Sequence, residues 1–115
     1  MIKVIGTAYR RPDFSQEQFF EYWRDVHGPI SAKAPGLRGY VVTEVLDRVM
    51  GDLQADAFVE QWYDDIESYE HAMAAPEVAE AWADVPNYAL TTGTFWTTQE
   101  HILIPPPRAA KGLLR

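Results

Sequence analysis

One imidazole on an otherwise apolar helix face is the feature of this chain best equipped for chemistry. At helical spacing, Phe19, Phe20, Trp23, Val26, His27 and Ile30 share one face within an arc of roughly 120°, while Glu17, Glu21, Arg24 and Asp25 point the other way. His27 is the only titratable group on that face, and it precedes Gly28-Pro29, a pair that predicts the end of the helix. Imidazole is the side chain best matched to moving protons near neutral pH. Held by Phe19 and Trp23 at the mouth of an apolar pocket, it would stay neutral, because burial disfavours the cation, and could accept a proton as a general base. A histidine at a helix C-terminus also has a structural use, since its cation complements the helix dipole and bonds free carbonyls.

Tyr40 is the natural companion. Its hydroxyl could donate a hydrogen bond to a developing enolate or phenolate oxygen, or it could be an amphipathic core residue whose hydroxyl finds a backbone partner. Base plus donor is the minimum equipment for removing an acidic C–H beside a carbonyl, and such pairs supply about 10²–10⁴-fold. In the strand after it, Phe58, Glu60 and Trp62 share one face and Val59, Gln61 and Tyr63 the other, and the pattern does not say which faces the helices. Trp82 and Tyr88 could close the pocket or be core. His71 reads as surface, and His101 sits in the last strand beside Glu100. The three histidines show no spacing typical of metal sites, the glycines are too scattered for a phosphate loop, and Ser15, Ser31 and Ser68 suggest no serine triad.

These side chains need a scaffold. Residues 2–9 read as a strand, Arg10–Asp13 as a turn, and Ser15 with Gln18 as a capping box. A short helical extension runs to Ala34, stopped by Pro35-Gly36. Strands follow over 38–46 and 56–63, then a helix capped by Asp64 or Asp65, a second helical segment from Pro76 through about Trp82, and a strand over 94–104. The order β-α-β-β-α-β predicts an α+β, ferredoxin-like fold with a four-stranded antiparallel sheet and helices on one face. Apolar strand residues such as Val4, Val42, Phe58 and Trp62 leave the other face needing cover, and a second copy supplies it as a dimeric α+β barrel. The expected organisation is one domain over 1–104 and a Pro-rich tail over 105–115.

Totals exclude several classes of function. With 17 acids against 10 Lys and Arg, net charge −7 and no basic cluster, nucleic acid and anionic membranes are poor partners. The chain has no cysteine, which removes disulfides, zinc-thiolate sites and a thiol nucleophile. It has no signal-like N-terminus and no apolar run near the ~20 residues of a membrane span, so a cytoplasmic location is expected.

Phe20-x-Tyr-Trp-x-x-x-His27-Gly-Pro, Pro35-Gly-Leu-x-x-Tyr40, Glu60-x-Trp62 and Glu100-His101 together resemble the EthD-like branch of the dimeric α+β barrel superfamily, over about residues 1–104. That resemblance implies a small homodimer, a ligand between sheet and helices, and chemistry without metal or organic cofactor. Relatives include aromatic polyketide cyclases and dehydratases, methylmuconolactone isomerases and proteins linked to ether degradation. In the lactone isomerases a helix histidine and a strand tyrosine match His27 and Tyr40; a cysteine used there falls near Gln61. The expected site is therefore catalytic His27 and Tyr40, with Phe19, Trp23, Gln61, Trp62, Trp82 and Tyr88 binding substrate. The expected function is cofactor-independent cyclisation, dehydration or isomerisation of a hydrophobic, aromatic or polyketide-like carbonyl compound. A ligand-binding accessory partner of an oxygenase and a cofactor-free monooxygenase are the alternatives.

Overall fold

The computed structural model describes residues 1–107. Within them the chain forms β1 (Ile2–Ala8), α1 (Gln16–Tyr22), a π-helical turn (Trp23–His27), α2 (Gly28–Ser31), β2 (Gly39–Glu44), β3 (Ala57–Tyr63), α3 (Ile66–Met73), α4 (Pro76–Asp84), a 3₁₀ turn (Val85–Asn87) and β4 (Phe95–Thr98). The strands lie in the order β2-β3-β1-β4, every pair antiparallel, which is the ferredoxin-like arrangement. Among the described residues no helix is long and apolar enough to cross a membrane.

Two caps start the helices as their residue types require. The Ser15 hydroxyl accepts from the Gln18 amide at 3.1 Å while Gln18 Oε1 accepts from the Ser15 amide at 2.8 Å. Of the two aspartates before α3, Asp65 is the cap, its carboxylate accepting from the Ser68 amide at 2.7 Å.

The register settles which way β3 faces. Val4 lies opposite Gln61, Gly6 opposite Val59 and Ala8 opposite Ala57, and these residues with Tyr63, Tyr40 and Val42 point toward the helices. The helix-side core falls into two groups, one around Phe19, Trp23, Val59 and Tyr88 and one around Val4, Tyr63, Ala72 and Val78. Lys3, Ile5, Val41, Phe58, Glu60, Trp62 and Trp96 occupy the opposite face. There Lys3 Nζ bonds Glu60 at 2.5 Å and Glu100 at 3.2 Å, and the Trp62 indole N–H donates to Glu100 at 3.0 Å.

Three expectations need correction. The last strand ends at Thr98 rather than Ile104, because its partner β1 runs out: Lys3 pairs with Thr98, leaving only Met1 and Ile2 beyond. Ile102, Leu103 and Ile104 are accordingly exposed. Gly28-Pro29 does not end the helix, which continues through the π turn into α2. Val26, placed on the buried face by ideal helical spacing, is exposed. The tail expected over 105–115 lies outside the described residues from 108 onward.

Candidate functional site

The π turn is what builds the site. Phe19, Trp23, His27 and Ser31 recur every four residues, and all four are buried. In a straight α-helix a four-residue step overshoots a full turn by roughly 40°, so this row would spiral off the face. The wider turn absorbs the drift: the Gly28 amide bonds the Trp23 carbonyl, an i to i−5 bond. Glycine is required there, since a Cβ at position 28 would meet the Trp23 carbonyl oxygen at 2.7 Å. Pro29 has no amide to place in an α-helical ladder, which favours the irregular turn just before it.

His27 is held at both nitrogens. Nδ1 lies 2.9 Å from Asp84 Oδ2 at the end of α4, and Nε2 lies 2.9 Å from the Ser31 hydroxyl. The other Asp84 oxygen accepts from the Tyr22 hydroxyl at 2.7 Å and the Asn87 amide at 3.0 Å. Burial opposes ionisation of Asp84, but the hydrogen bonds from Asn87, Tyr22 and His27 outweigh it and hold its pKa below the ordinary value. Burial dominates at His27 and lowers its pKa despite the adjacent carboxylate. The pair is thus carboxylate and neutral imidazole. An ionised Asp84 can only accept, so Nδ1 carries the proton and Nε2 presents the lone pair.

A second bond beside this pair also has a fixed direction. The Trp23 indole N–H, a donor only, gives to the Tyr40 hydroxyl at 2.7 Å. Burial raises the Tyr40 pKa, keeping the phenol protonated. Donors therefore run from Ser31 to His27 Nε2, from Nδ1 to Asp84, and separately from Trp23 to Tyr40. Tyr88 covers the imidazole with ring centroids 4.7 Å apart, is itself almost fully buried, and stacks on Tyr22 and Phe19.

This network forms part of the wall of a cavity of about 190 Å³ between sheet and helices. Val4, Val59, Tyr69, Met73, Val78 and Val85 supply its apolar surface, and Gln61, opposite Tyr40 in the sheet, adds an amide. Trp82 and Phe95 meet edge to face at 5.4 Å, line the cavity and remain part-exposed, which places them where it opens. Phe95 reaches that position over Gly6, where a Cβ would overlap its ring at 2.3 Å. Tyr63 also lines the cavity, and its buried hydroxyl has no hydrogen-bond partner among the described residues.

Of the residues expected at the site, His27, Tyr40, Trp23, Gln61, Trp82 and Tyr88 line this one cavity. Phe19 and Trp62 do not. Phe19 is fully buried core beneath Trp23 and Tyr88, because the continuous helix turns it toward the sheet rather than the opening. Trp62 is on the opposite sheet face, one residue out of phase with Gln61. Sequence reasoning missed Asp84, Ser31 and Asn87. Ser31 had a readable signal, its spacing of four from His27, whereas nothing local marks Asp84 as a partner of another helix. The observed Ser31–His27–Asp84 contacts overturn the expectation that no serine stands in such an arrangement. Glu60, His71 and His101 lie away from the cavity.

Comparison with known proteins gives a consistent match. Residues 11–92 match the EthD domain family. A solved EthD family protein of Bacillus halodurans is 31% identical, covering 88% of this chain and 99% of its own, with TM-score 0.73. A dimeric ferredoxin-like protein of unknown function from Bacteroides fragilis is 12% identical, with 86% and 95% covered and TM-score 0.63. SnoaB, a cofactor-independent oxygenase of Streptomyces nogalater, is 10% identical, with 90% and 97% covered and TM-score 0.57. No curated protein matches in sequence.

Proposed function

The chain belongs to the EthD domain family, and from that premise we propose that it is a cofactor-independent acid–base enzyme acting on a compact, hydrophobic carbonyl compound. Its fold relatives include enzymes, and the reading for this chain is carried by one observation. A neutral imidazole, oriented by a buried carboxylate, stands in the wall of an apolar cavity next to a protonated phenol.

Rotating one hydroxyl arms the site. In the resting chain Ser31 donates to His27, and Tyr40 accepts from Trp23. When the Ser31 hydrogen turns away from Nε2, the imidazole lone pair is released toward the cavity that the Tyr40 hydroxyl also lines. His27 then takes a proton from a carbon next to a carbonyl, and Tyr40 stabilises the enolate oxygen that forms. Asp84 stabilises the resulting imidazolium without itself taking the proton. Return of that proton to another carbon gives an isomer; its return to a departing hydroxyl gives dehydration; attack of the enolate on a second carbonyl gives a ring. The apolar walls and Tyr88 exclude water that would solvate the base.

The proposal extends to assembly. A second copy covers the outer sheet face, where Val41 and Trp96 stand about half exposed, at 45% and 49%. The dimeric state described for the Bacteroides fragilis protein of the same fold supports that arrangement.

The test is product analysis by mass spectrometry with no cofactor added, giving wild type and His27→Ala single-ring β-polyketones, 1,3-diketones and unsaturated lactones. The expected product is isomeric with its substrate or lighter by one water, and the variant forms it about 10²–10⁴-fold more slowly. Equal rates in the two proteins would overturn the assignment. A product heavier by oxygen that disappears without dissolved oxygen would assign cofactor-free oxygenation instead.

A further inference from the structure

We propose that Ser31 is a nucleophile, and that this cavity also transfers the acyl group of small esters or lactones through a covalent Ser31 intermediate. The inference rests on reading the cavity as a ligand site with His27 as its base, and adds a reaction for which abstraction of a C–H proton is not needed.

Three features of the geometry point to it. First, the resting chain is already in the sense that nucleophilic catalysis needs: Ser31 Oγ to His27 Nε2 at 2.9 Å and His27 Nδ1 to Asp84 at 2.9 Å, a nucleophile on a base on an orienting carboxylate. A serine in a helix commonly turns its hydroxyl back to a carbonyl of the preceding turn. Here His27, four residues earlier and therefore on the same face, takes the bond through its ring. Second, Ser31 lines the cavity together with two groups able to donate to an oxyanion, the Tyr40 phenol and the Gln61 amide. The Tyr40 hydroxyl accepts from Trp23, so its own proton is available to the carbonyl oxygen once attack begins. Third, the cavity's size selects the substrate. An apolar cavity of about 150 Å³ holds one benzene ring, so about 190 Å³ suits a single-ring aryl ester or a monocyclic lactone.

The steps balance without any added redox partner. Ser31 Oγ bonds to the carbonyl carbon as its proton passes to His27 Nε2. The tetrahedral oxyanion collapses and expels the alcohol or phenol oxygen, which takes that proton from the imidazolium and leaves acyl-Ser31 and neutral His27. Water then attacks the acyl carbon, gives its proton to His27, and the second collapse returns the proton to Ser31 Oγ and releases the acid. The net reaction is ester plus water to acid plus alcohol.

The probe is 4-nitrophenyl acetate with the full chain, followed by stopped-flow absorbance and by intact-mass and peptide analysis. The expected result is a burst approaching one nitrophenolate per chain and a single acetyl group on the peptide carrying Ser31, both lost in Ser31→Ala. Because the chain has no cysteine, Ser31→Cys creates its only thiol. That variant should be acetylated at the same position, and its alkylation by iodoacetamide should show a midpoint below the ordinary thiol value of about 8.5, since His27 takes the proton. Acetyl found on lysine or the terminal amine with Ser31 unmodified, an undiminished burst in Ser31→Ala, or an ordinary thiol midpoint in a folded Ser31→Cys would each overturn the proposal. Failure here is separable from failure of the acid–base reading. Wild type that converts carbon acids without acylating Ser31 removes the nucleophile alone, whereas acylation with no carbon-acid turnover removes the isomerase, dehydratase and cyclase reading alone.

Discussion

Strand β3 carries two polar networks, one on each face, and adjacent residues belong to different ones. Toward the helices, Gln61 stands opposite Tyr40, which accepts from Trp23, while Ser31, His27 and Asp84 form a bonded row. Away from them, Glu60 and Trp62 meet Lys3 and Glu100. The inner row ends at Asp84, which can only accept, so the imidazole tautomer and the Ser31 hydrogen have assigned positions. The outer cluster has two carboxylates around one ammonium, with side chains 14% to 39% exposed. Pairs so exposed contribute about 0–1 kcal/mol and fix little. One sheet thus separates two tasks: burial and fixed bond direction suit proton movement, while an apolar face dotted with charges suits association.

The sharpest way to break that contrast is Asp84→Asn. It keeps the volume but lets Nδ1 accept from the amide, which puts the wrong tautomer at the Ser31 end. Both the carbon-acid and the ester reactions are expected to fall by about 10³–10⁴-fold, the order seen when a triad aspartate is replaced. Wild-type activity should also persist below pH 6.5, since the folded His27 pKa is lowered, and then decline as the imidazole becomes protonated. The stability consequence has the same sign. The unfolded chain binds the His27 proton more readily, so that contribution is present above about 6.5 and is lost as pH falls toward the folded value. Asp84 adds a second loss below its ordinary 3.8. An acid limb above pH 6.5 in the rate profile would contradict a buried neutral base.

A change on the other face should leave the inner row alone. Val41→Lys with Trp96→Lys is expected to convert the sedimenting species from dimer to monomer, while the near-ultraviolet signal of Trp23 against Tyr40 is retained. A dimer that survives both charges would place the interface elsewhere. The smallest effect sharpens the comparison from within the buried side. Tyr63 contributes a sealed hydroxyl with no partner among the described residues, so Tyr63→Phe is expected to raise stability by about 1 kcal/mol, read from thermal unfolding of the ligand-free protein. A loss of stability would show that the hydroxyl is hydrogen-bonded in the folded, ligand-free protein.

How much of this was legible follows from which interactions are local. The order of elements, the Ser15–Gln18 box and the apolar face holding Trp23 and His27 are written in residues a few positions apart, and they stand as read. The face of β3 required knowing its partner strands, since both alternating sets contain aromatics. For that reason the pattern leaves the face open and admits both Gln61 and Trp62 as substrate-binding residues, of which only Gln61 lines the cavity. The extent of β4 depended on where β1 begins, which no residue of β4 encodes. Asp84 is the instructive omission: an acid near the end of a helix reads as solvated until Tyr22, Asn87 and His27 are seen to converge on it.

The π turn gives this segment a dependence on length as well as on residue type. An α-helix carrying one surplus residue is, in genetic terms, a one-codon insertion that was kept. Removing one codon between Trp23 and His27 would restore an α ladder and leave the imidazole three residues after Trp23, roughly 60° short of a full turn. The imidazole and the serine would leave the sheet side while Phe19 and Trp23 stayed. A single-residue deletion within this turn should therefore inactivate even where the deleted side chain is exposed.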